Sequence, residues 1–299
     1  MALSPEFMRQ ITTIVAGRSG KQASSVRVAS VFGGDINACY RLSINGRDYF
    51  LKTNSVDRLW MFEAEMAALN EITRTGTVRV PLPICTGVVE GQSFLALEWL
   101  ELHPLDGAAA GQFGRVLAAL HRHTAEQFGW YRNNTIGTTP QTNTFATEWI
   151  SFWKSNRLGF QLDLAARQGY TGRVQELGER LLKNCDRLFS DYTPAPSLLH
   201  GDLWRGNTAC SAAGQPIIFD PASYYGDREA DLAMTALFGG FPDTFMASYS
   251  AAWPIDEGYG LRRDFYNIYH LLNHLNLFGR GYLAQSEALM HRVLTGVGA

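Results

Sequence analysis

The densest chemistry in the chain lies in eight consecutive residues, His200-Gly201-Asp202-Leu203-Trp204-Arg205-Gly206-Asn207. They follow Ser197-Leu198-Leu199, a short apolar run that reads as a buried strand feeding a tight loop. An aspartate and an asparagine five residues apart on such a loop suit phosphoryl transfer. The carboxylate can accept the proton of an attacking hydroxyl, and the amide can hold a metal ion near the same point. Asp220 stands thirteen residues beyond Asn207, directly after Ile217-Ile218-Phe219 and before Pro221. A carboxylate at a strand end can reach a Mg²⁺ ion that bridges nucleotide phosphates. Aspartate and asparagine are also common turn formers, and either residue alone would read that way. The spaced set, with an apolar strand before each carboxylate, points to chemistry instead.

The first third of the chain supplies complementary groups. Lys52 ends Tyr49-Phe50-Leu51-Lys52, where an ammonium can point into a cleft and neutralise phosphates. Two glutamates follow in the next helical stretch, Glu63 and Glu65, and either could pair with the lysine. Between the first two strands lies Phe32-Gly33-Gly34-Asp35-Ile36-Asn37. Adjacent glycines there let backbone N–H groups approach phosphates closely. This stretch is neither a Walker A loop nor a G-x-G-x-x-G, and Gly17–Gln22 fails Walker A as well.

These residues need a scaffold, and the hydrophobic pattern supplies one. Ser25–Phe32, Ala38–Ser43, Asp48–Thr53, Ile84–Val89 and Ser93–Trp99 read as strands. Asn45-Gly46 and Glu90-Gly91 are the turns that fold them into hairpins. Leu59–Ile72 changes to helical period, with Phe62, Met66, Leu69 and Ile72 on one face. The expected N-terminal part is an antiparallel sheet with one helix after its third strand. Beyond Leu100 the apolar stripes are helical, including Phe113–Leu120, Trp149–Trp153, Val174–Leu188 and Phe265–Leu275. Gly129–Asn143 and Asp191–Pro196 read as loops. The expectation is an α+β, bilobed molecule: a small lobe over 8–99, a larger helical lobe over 100–299, and a cleft between them.

Composition narrows the partners. Apolar residues make up 46% and charged residues 18% of 299, a globular profile. The formal net charge of -2 argues against nucleic acid as the main partner. Cys39, Cys85, Cys185 and Cys210 lack zinc or redox spacing. No apolar run reaches membrane-spanning length, and no signal peptide is apparent. A cytoplasmic enzyme or binding protein is the expectation. Residues 1–7 read as a cloning-site leader set apart from the fold, with Met8 as a native start.

His200–Asn207, followed by Phe219-Asp220-Pro221-Ala222-Ser223-Tyr224-Tyr225-Gly226-Asp227-Arg228-Glu229 and Asp231–Met234, resembles the fructosamine-3-kinase (ketosamine kinase) family. That family lies within the aminoglycoside-phosphotransferase branch of protein-kinase-like folds. The resemblance extends from about Ser25 to about Val293 and includes Asn143, Trp149, Phe152, Arg157-Leu158 and Gln161-Leu162. Trp204 after Asp202-Leu203 is a discriminating feature. The resemblance implies a protein-kinase-like fold, with ATP as phosphoryl donor and Mg²⁺ as metal. It implies Asp202 as catalytic base, Asn207 and Asp220 as metal ligands, and a Lys52–Glu65 pair rather than Lys52–Glu63. It also implies adenine contacts from the backbone of Glu98 and Leu100 in the lobe connector, alongside Gly33, Gly34 and Asn37 near the phosphates. Some members carry cysteine where this chain has Asp35, so a thiol switch at that position is not expected.

The acceptor that the resemblance implies is a ketosamine, free or on a glycated protein, phosphorylated at its 3-hydroxyl. Trp204, Tyr224 and Tyr225 are candidates to stack on the sugar, with core aromatics as the competing reading. A cationic amine would want a carboxylate, with Asp227 and Glu229 as candidates. Asp231 either caps its helix or bonds back to the catalytic loop. His200 reads as loop-stabilising, and His270 and His274 as ordinary helix residues. Two other functions compete: a kinase for another amino alcohol or an aminoglycoside, and a nucleotide-binding module without catalysis. An intact Lys52, Asp202, Asn207 and Asp220 set argues against the last.

Overall fold

The computed structural model describes residues 3–18, 23–31 and 36–299. Helix α1 (Pro5–Arg18) precedes strands β1 (Val26–Val31), β2 (Ala38–Ile44) and β3 (Arg47–Ser55). Helix α2 (Leu59–Thr75) follows, then β4 (Pro83–Val89) and β5 (Gln92–Glu98). The five strands form one antiparallel sheet in the order β1-β2-β3-β5-β4. Asn45 and Gly46 have φ of 53° and 78°, and Glu90 and Gly91 have 48° and 72°. Two successive positive φ values give the tight turn that matches strand twist, which is why Asn-Gly and Glu-Gly stand there.

Strand alternation sorts the side chains of β3. Tyr49 and Leu51 face one side of the sheet, where they join Leu42, Phe94, Phe7, Ile11 and Val15 in a buried cluster. Lys52 faces the other side, toward α2. Helix α1 is the unexpected element. Its residues Phe7, Ile11 and Val15, spaced four apart, cover an apolar sheet face that would otherwise meet water. Setting residues 1–7 apart from the fold is therefore corrected: Pro5–Phe7 form the first turn of α1, and Phe7 is fully buried.

The larger lobe begins with α3 (Gly107–His121) and a short hairpin, β6 (Asn134–Ile136) and β7 (Thr139–Gln141), inside the stretch read as loop. Helix α4 (Trp149–Trp153) runs through a single π turn at Lys154–Leu158 into α5 (Gly159–Arg167), and α6 (Arg173–Asn184) follows. Four short strands, β8 (Ser197–Leu198), β9 (Thr208–Cys210), β10 (Pro216–Ile218) and β11 (Tyr225–Gly226), flank the His200–Asn207 and Phe219–Pro221 segments. Helices α7 (Arg228–Leu237), α8 (Asp243–Ala252), α9 (Tyr259–Phe278) and α10 (Leu283–Gly296) complete the lobe. One core gathers Trp149, Trp153, Phe265, Tyr266 and Leu272 inside the helices. A second joins Phe113, Phe245 and Tyr249 to Phe62, Leu95 and Leu97 of the small lobe, so burial also ties the lobes together.

Candidate active site

The catalytic segment is held from behind by one buried carboxylate. Asp231 on α7 accepts the backbone N–H of His200 at 2.7 Å and of Gly201 at 2.8 Å. Its Oδ2 also lies 3.2 Å from His121 Nε2. Asp231 thus bonds back to the loop, and Asp227 rather than Asp231 caps α7. His200 bridges the two functional segments: its Nε2 donates to the carbonyl of Phe219 at 2.9 Å, and its Nδ1 accepts from Asp202 N–H at 3.3 Å. Burial lowers the His200 pKa, so the ring is neutral and structural. Gly201 has φ 83°, and a Cβ there would sit 2.1 Å from the Ala222 carbonyl oxygen. Only glycine lets the two segments come this close.

Asp202 lines a cleft of about 870 Å³, a size suited to a small-molecule site. Burial raises its pKa to about 7, with the neighbouring Asp220 and Asp231 adding to the rise against the hydrogen bond from Asn207. The Asn207 amide donates to Asp202 Oδ2 at 3.0 Å and to the Asp202 carbonyl at 2.9 Å, which fixes the carboxylate's orientation. Asp220 adopts φ 57°, a left-handed conformation costly for a residue with a Cβ. Its side chain is 49% exposed and Oδ1 accepts from Lys52 Nζ at 2.5 Å. Lys52 Nζ also lies 2.7 Å from Glu65 Oε1. Burial would lower the lysine's pKa, but the carboxylates of Asp220 and Glu65 outweigh it and hold the ammonium charged. Glu63 turns away, its backbone carbonyl accepting from Arg132 at 2.7 Å.

Another part of the cleft lining is neutral and largely aromatic. Trp204, 39% exposed, lies over Gly206, where a Cβ would meet the indole at 2.3 Å. Its ring stands edge-on to Phe238 at 6.4 Å, and Phe238 lies 4.5 Å from His274. Phe278 and Tyr282 continue the row at 5.4 Å and 5.1 Å from His274. The β6–β7 hairpin adds Thr135–Thr138. Glu65, Asp202 and Asp220 are the only carboxylates among the described residues that line this cleft.

Several expected site residues go elsewhere. Tyr224 is buried with the Arg157 guanidinium 4.0 Å over its ring, and packs on Phe152. Asp227 accepts from Tyr192 at 2.8 Å, Tyr266 at 2.5 Å and its own helix's Glu229 N–H at 3.0 Å. Glu229 pairs with Arg262 at 2.7 Å, wholly buried. All three are buried on partners inside the lobe and do not line the cleft, so they are corrected from substrate candidates to scaffold. Tyr225 is likewise taken, donating to Glu71 at 2.7 Å. Glu98 and Leu100 sit in the connector outside the cleft lining; Glu98 N–H donates to the Leu82 carbonyl at 2.8 Å and its carboxylate pairs with Arg79. Asn37 lines the cleft, its side-chain oxygen accepting from Asn54 at 2.8 Å. Gly33, Gly34 and Asp35 lie outside the described residues.

The pattern from Asn143 to Gln161 has a structural explanation. Arg157, fully buried, donates to Asn143 Oδ1 and to the Thr142 carbonyl, both at 2.7 Å. Asn143 and Gln141 in turn donate to Asn134 Oδ1 at 2.9 Å and 2.8 Å. Asn134 and Gln141 also donate to the carbonyls of Ser223 and Ala222 at 2.8 Å and 3.0 Å. This lattice bolts the hairpin to the chain just past Asp220. Phe238, His274, Phe278 and Tyr282 were missed as wall residues. The four-residue spacing of His270, His274 and Phe278 marks a shared helix face, but spacing alone does not say what that face meets.

A buried carboxyl with a raised pKa, an amide that fixes it, a strand-end carboxylate and a lysine–glutamate pair between two lobes define a phosphotransferase of the protein-kinase-like class. The model of the fructosamine kinase family matches residues 7–296, and the chain belongs to that family. It is 42% identical over 292 residues to a Synechocystis sp. protein named as a ketoamine kinase, covering 97% of this chain and 98% of that one. It is 39% identical over 274 residues to a chloroplastic protein-ribulosamine 3-kinase of Oryza sativa subsp. japonica, covering 91% and 80%. A crystal structure described as a fructosamine-3-kinase of Haemophilus somnus superposes with a TM-score of 0.87 at 27% identity, covering 95% and 96%.

Proposed function

We propose that the protein transfers the γ-phosphate of ATP, with Mg²⁺, to the 3-hydroxyl of a ketosamine, free or carried on a glycated protein. The observation that carries this reading is the division of a single cleft: Lys52, Glu65, Asp202, Asn207 and Asp220 form a bonded polar cluster on the phosphate side, and Trp204, Phe238, His274, Phe278 and Tyr282 form a neutral, aromatic acceptor side. The side-chain oxygens of Asn207 and Asp220 are the hard donors Mg²⁺ prefers, and the Asn207 N–H groups are already committed to Asp202. When bound, the ion would neutralise charge on the phosphate oxygens. Asp202 accepts the hydroxyl proton as the oxygen–phosphorus bond forms; the bond to the β-phosphate oxygen breaks, and ADP leaves with its electron pair. Lys52 is set to hold the phosphates, and Glu65 to hold Lys52. A cytoplasmic setting belongs to this reading and fits four buried, free cysteines. Among the described residues, no helix is long and apolar enough to cross a membrane.

The acceptor wall disfavours an aminoglycoside. A polycation desolvated in a cleft needs several carboxylates, and the three present all stand on the phosphate side. The test is a panel of fructose-, ribulose- and erythrulose-amines, a glycated protein, choline and an aminoglycoside, each with labelled ATP. Turnover of a ketosamine to a 3-phosphate that later eliminates inorganic phosphate is expected. Turnover of choline or the aminoglycoside without any ketosamine would overturn the acceptor assignment and leave phosphoryl transfer standing.

A further inference from the structure

Of the three glutamates on helix α2, Glu65 and Glu71 have side-chain partners in different lobes. Glu65 reaches Lys52 within the small lobe. Glu71 reaches across to the larger lobe, where its Oε2 accepts from Trp130 Nε1 at 2.8 Å and its Oε1 from the Tyr225 hydroxyl at 2.7 Å. Those two donors belong to segments that are themselves joined: Gly129 and Tyr225 exchange backbone hydrogen bonds of 2.9 Å and 2.8 Å. Tyr225 also pairs with Leu198, just before the catalytic loop. A few bonded steps therefore lead from α2 to Asp202.

The same side of α2 is shaped for a close seat. Ala64, Ala68 and Glu71 are spaced four and three residues apart, so they share one face. Ala68 is buried in the larger lobe's core with Trp130. Arg132 adds a hydrogen bond to the Glu63 carbonyl at 2.7 Å. Small side chains bring the helix against the larger lobe, and one carboxylate closes the gap with two hydrogen bonds.

We propose that Glu71 is a positioning residue: it latches α2 to the larger lobe and so keeps the Lys52–Glu65 pair in register with Asp202 and Asp220 before any ligand arrives. This rests on the phosphotransferase reading. With the latch gone, α2 keeps its packing on the sheet through Phe62, Leu69 and Ile72 but loses its polar tie to the catalytic segments. Glu65 would then hold Lys52 in varying places relative to Asp202, and a misplacement of the order of an ångström lowers turnover steeply.

The test compares Glu71→Ala, Glu71→Gln and Tyr225→Phe in the full chain, with and without Glu65→Gln. Turnover is measured with ATP and a free fructosamine, and amide hydrogen exchange is followed along α2. Glu71→Ala should lower kcat about tenfold and raise the KM for ATP, with KM for the fructosamine nearly unchanged. Adding Glu65→Gln should then cost little more, because the two act through one route. Glu71→Gln, which keeps an acceptor oxygen, should recover part of the loss, and Tyr225→Phe should shift kcat in the same direction by less. Exchange in α2 should quicken while the helices of the larger lobe stay unchanged. Wild-type kcat in Glu71→Ala, a full-sized Glu65→Gln effect in that background, or unaltered α2 exchange would each overturn the latch. If Glu71→Ala does not fold, Tyr225→Phe and Trp130→Phe decide the same question, since each removes one donor to the same carboxylate. If the wild-type chain transfers phosphate to no acceptor, the functional reading fails, and exchange in α2 still decides the latch.

Discussion

The two sides of the cleft are built on different principles. On the phosphate side Lys52, Glu65, Asp202, Asn207 and Asp220 are each held by at least one short hydrogen bond or ion pair to another member. On the acceptor side Trp204, Phe238, His274, Phe278 and Tyr282 meet by ring contacts, and Trp204 and Phe278 remain 39% and 59% exposed. Charge that must stabilise a fixed distribution in the transition state is fixed by bonds. A surface that must hold different adducts is left as area and shape. Substitutions on the first side should act on kcat, and on the second they should act on KM.

The largest effect is expected at Asp202. Asp202→Asn keeps the size and the contact with Asn207 but loses the base, so kcat should fall at least about a hundredfold with nucleotide binding retained. A titration of nucleotide beside the turnover assay checks both halves. Next comes Lys52→Met. It leaves Glu65 buried beside no cation, a loss that typically costs about 3–5 kcal/mol. Thermal unfolding should show the drop, and Lys52→Met with Glu65→Gln should recover stability but not activity. Equal instability of the two would mean that the pair is not the source.

The pH dependence is gentler. Asp202 accepts a proton only as the carboxylate, and its pKa stands at about 7, above the ordinary value. Acid therefore protonates the base first, and kcat/KM should fall roughly tenfold per pH unit below that value while levelling off above it. A profile flat down to pH 5 would show that the base is ionised throughout. The smallest effect belongs to the aromatic wall. Trp204→Ala or Phe278→Ala should raise KM for the ketosamine several-fold, about 1 kcal/mol, and leave KM for ATP unchanged. A kcat loss at Trp204 as large as at Asp202 would erase the distinction between the sides.

The phosphate side could be read in the sequence because each part sits in a short segment with its own strand signal. Asn45-Gly46, the Tyr49–Lys52 strand, the helix from Leu59 and the His200–Asn207 loop all declare themselves locally. Apart from Trp204, the acceptor side could not, because Thr135–Thr138, Phe238 and His274–Tyr282 meet only through tertiary packing. Tyr224, Asp227 and Glu229 misled for a related reason. They neighbour the His200–Asp220 segments in sequence, but Tyr224 precedes β11, Asp227 caps α7 and Glu229 lies in its first turn, and all three are buried. Helix α1 was missed because its stripe of Phe7, Ile11 and Val15 straddles the boundary drawn at Met8.

The β6–β7 hairpin has a consequence for how acceptor preference can diverge. Its roots are Asn134, Gln141 and Asn143, which hydrogen-bond largely to backbone carbonyls and to one another. Its tip, Thr135 to Thr138, faces the cleft and turns at Gly137, where φ is 62°. Fastening and contact are thus assigned to different residues of one small unit. On the proposed function, substitutions at the tip around Gly137 would change what meets the acceptor while leaving the fastening residues and Asp202 in place.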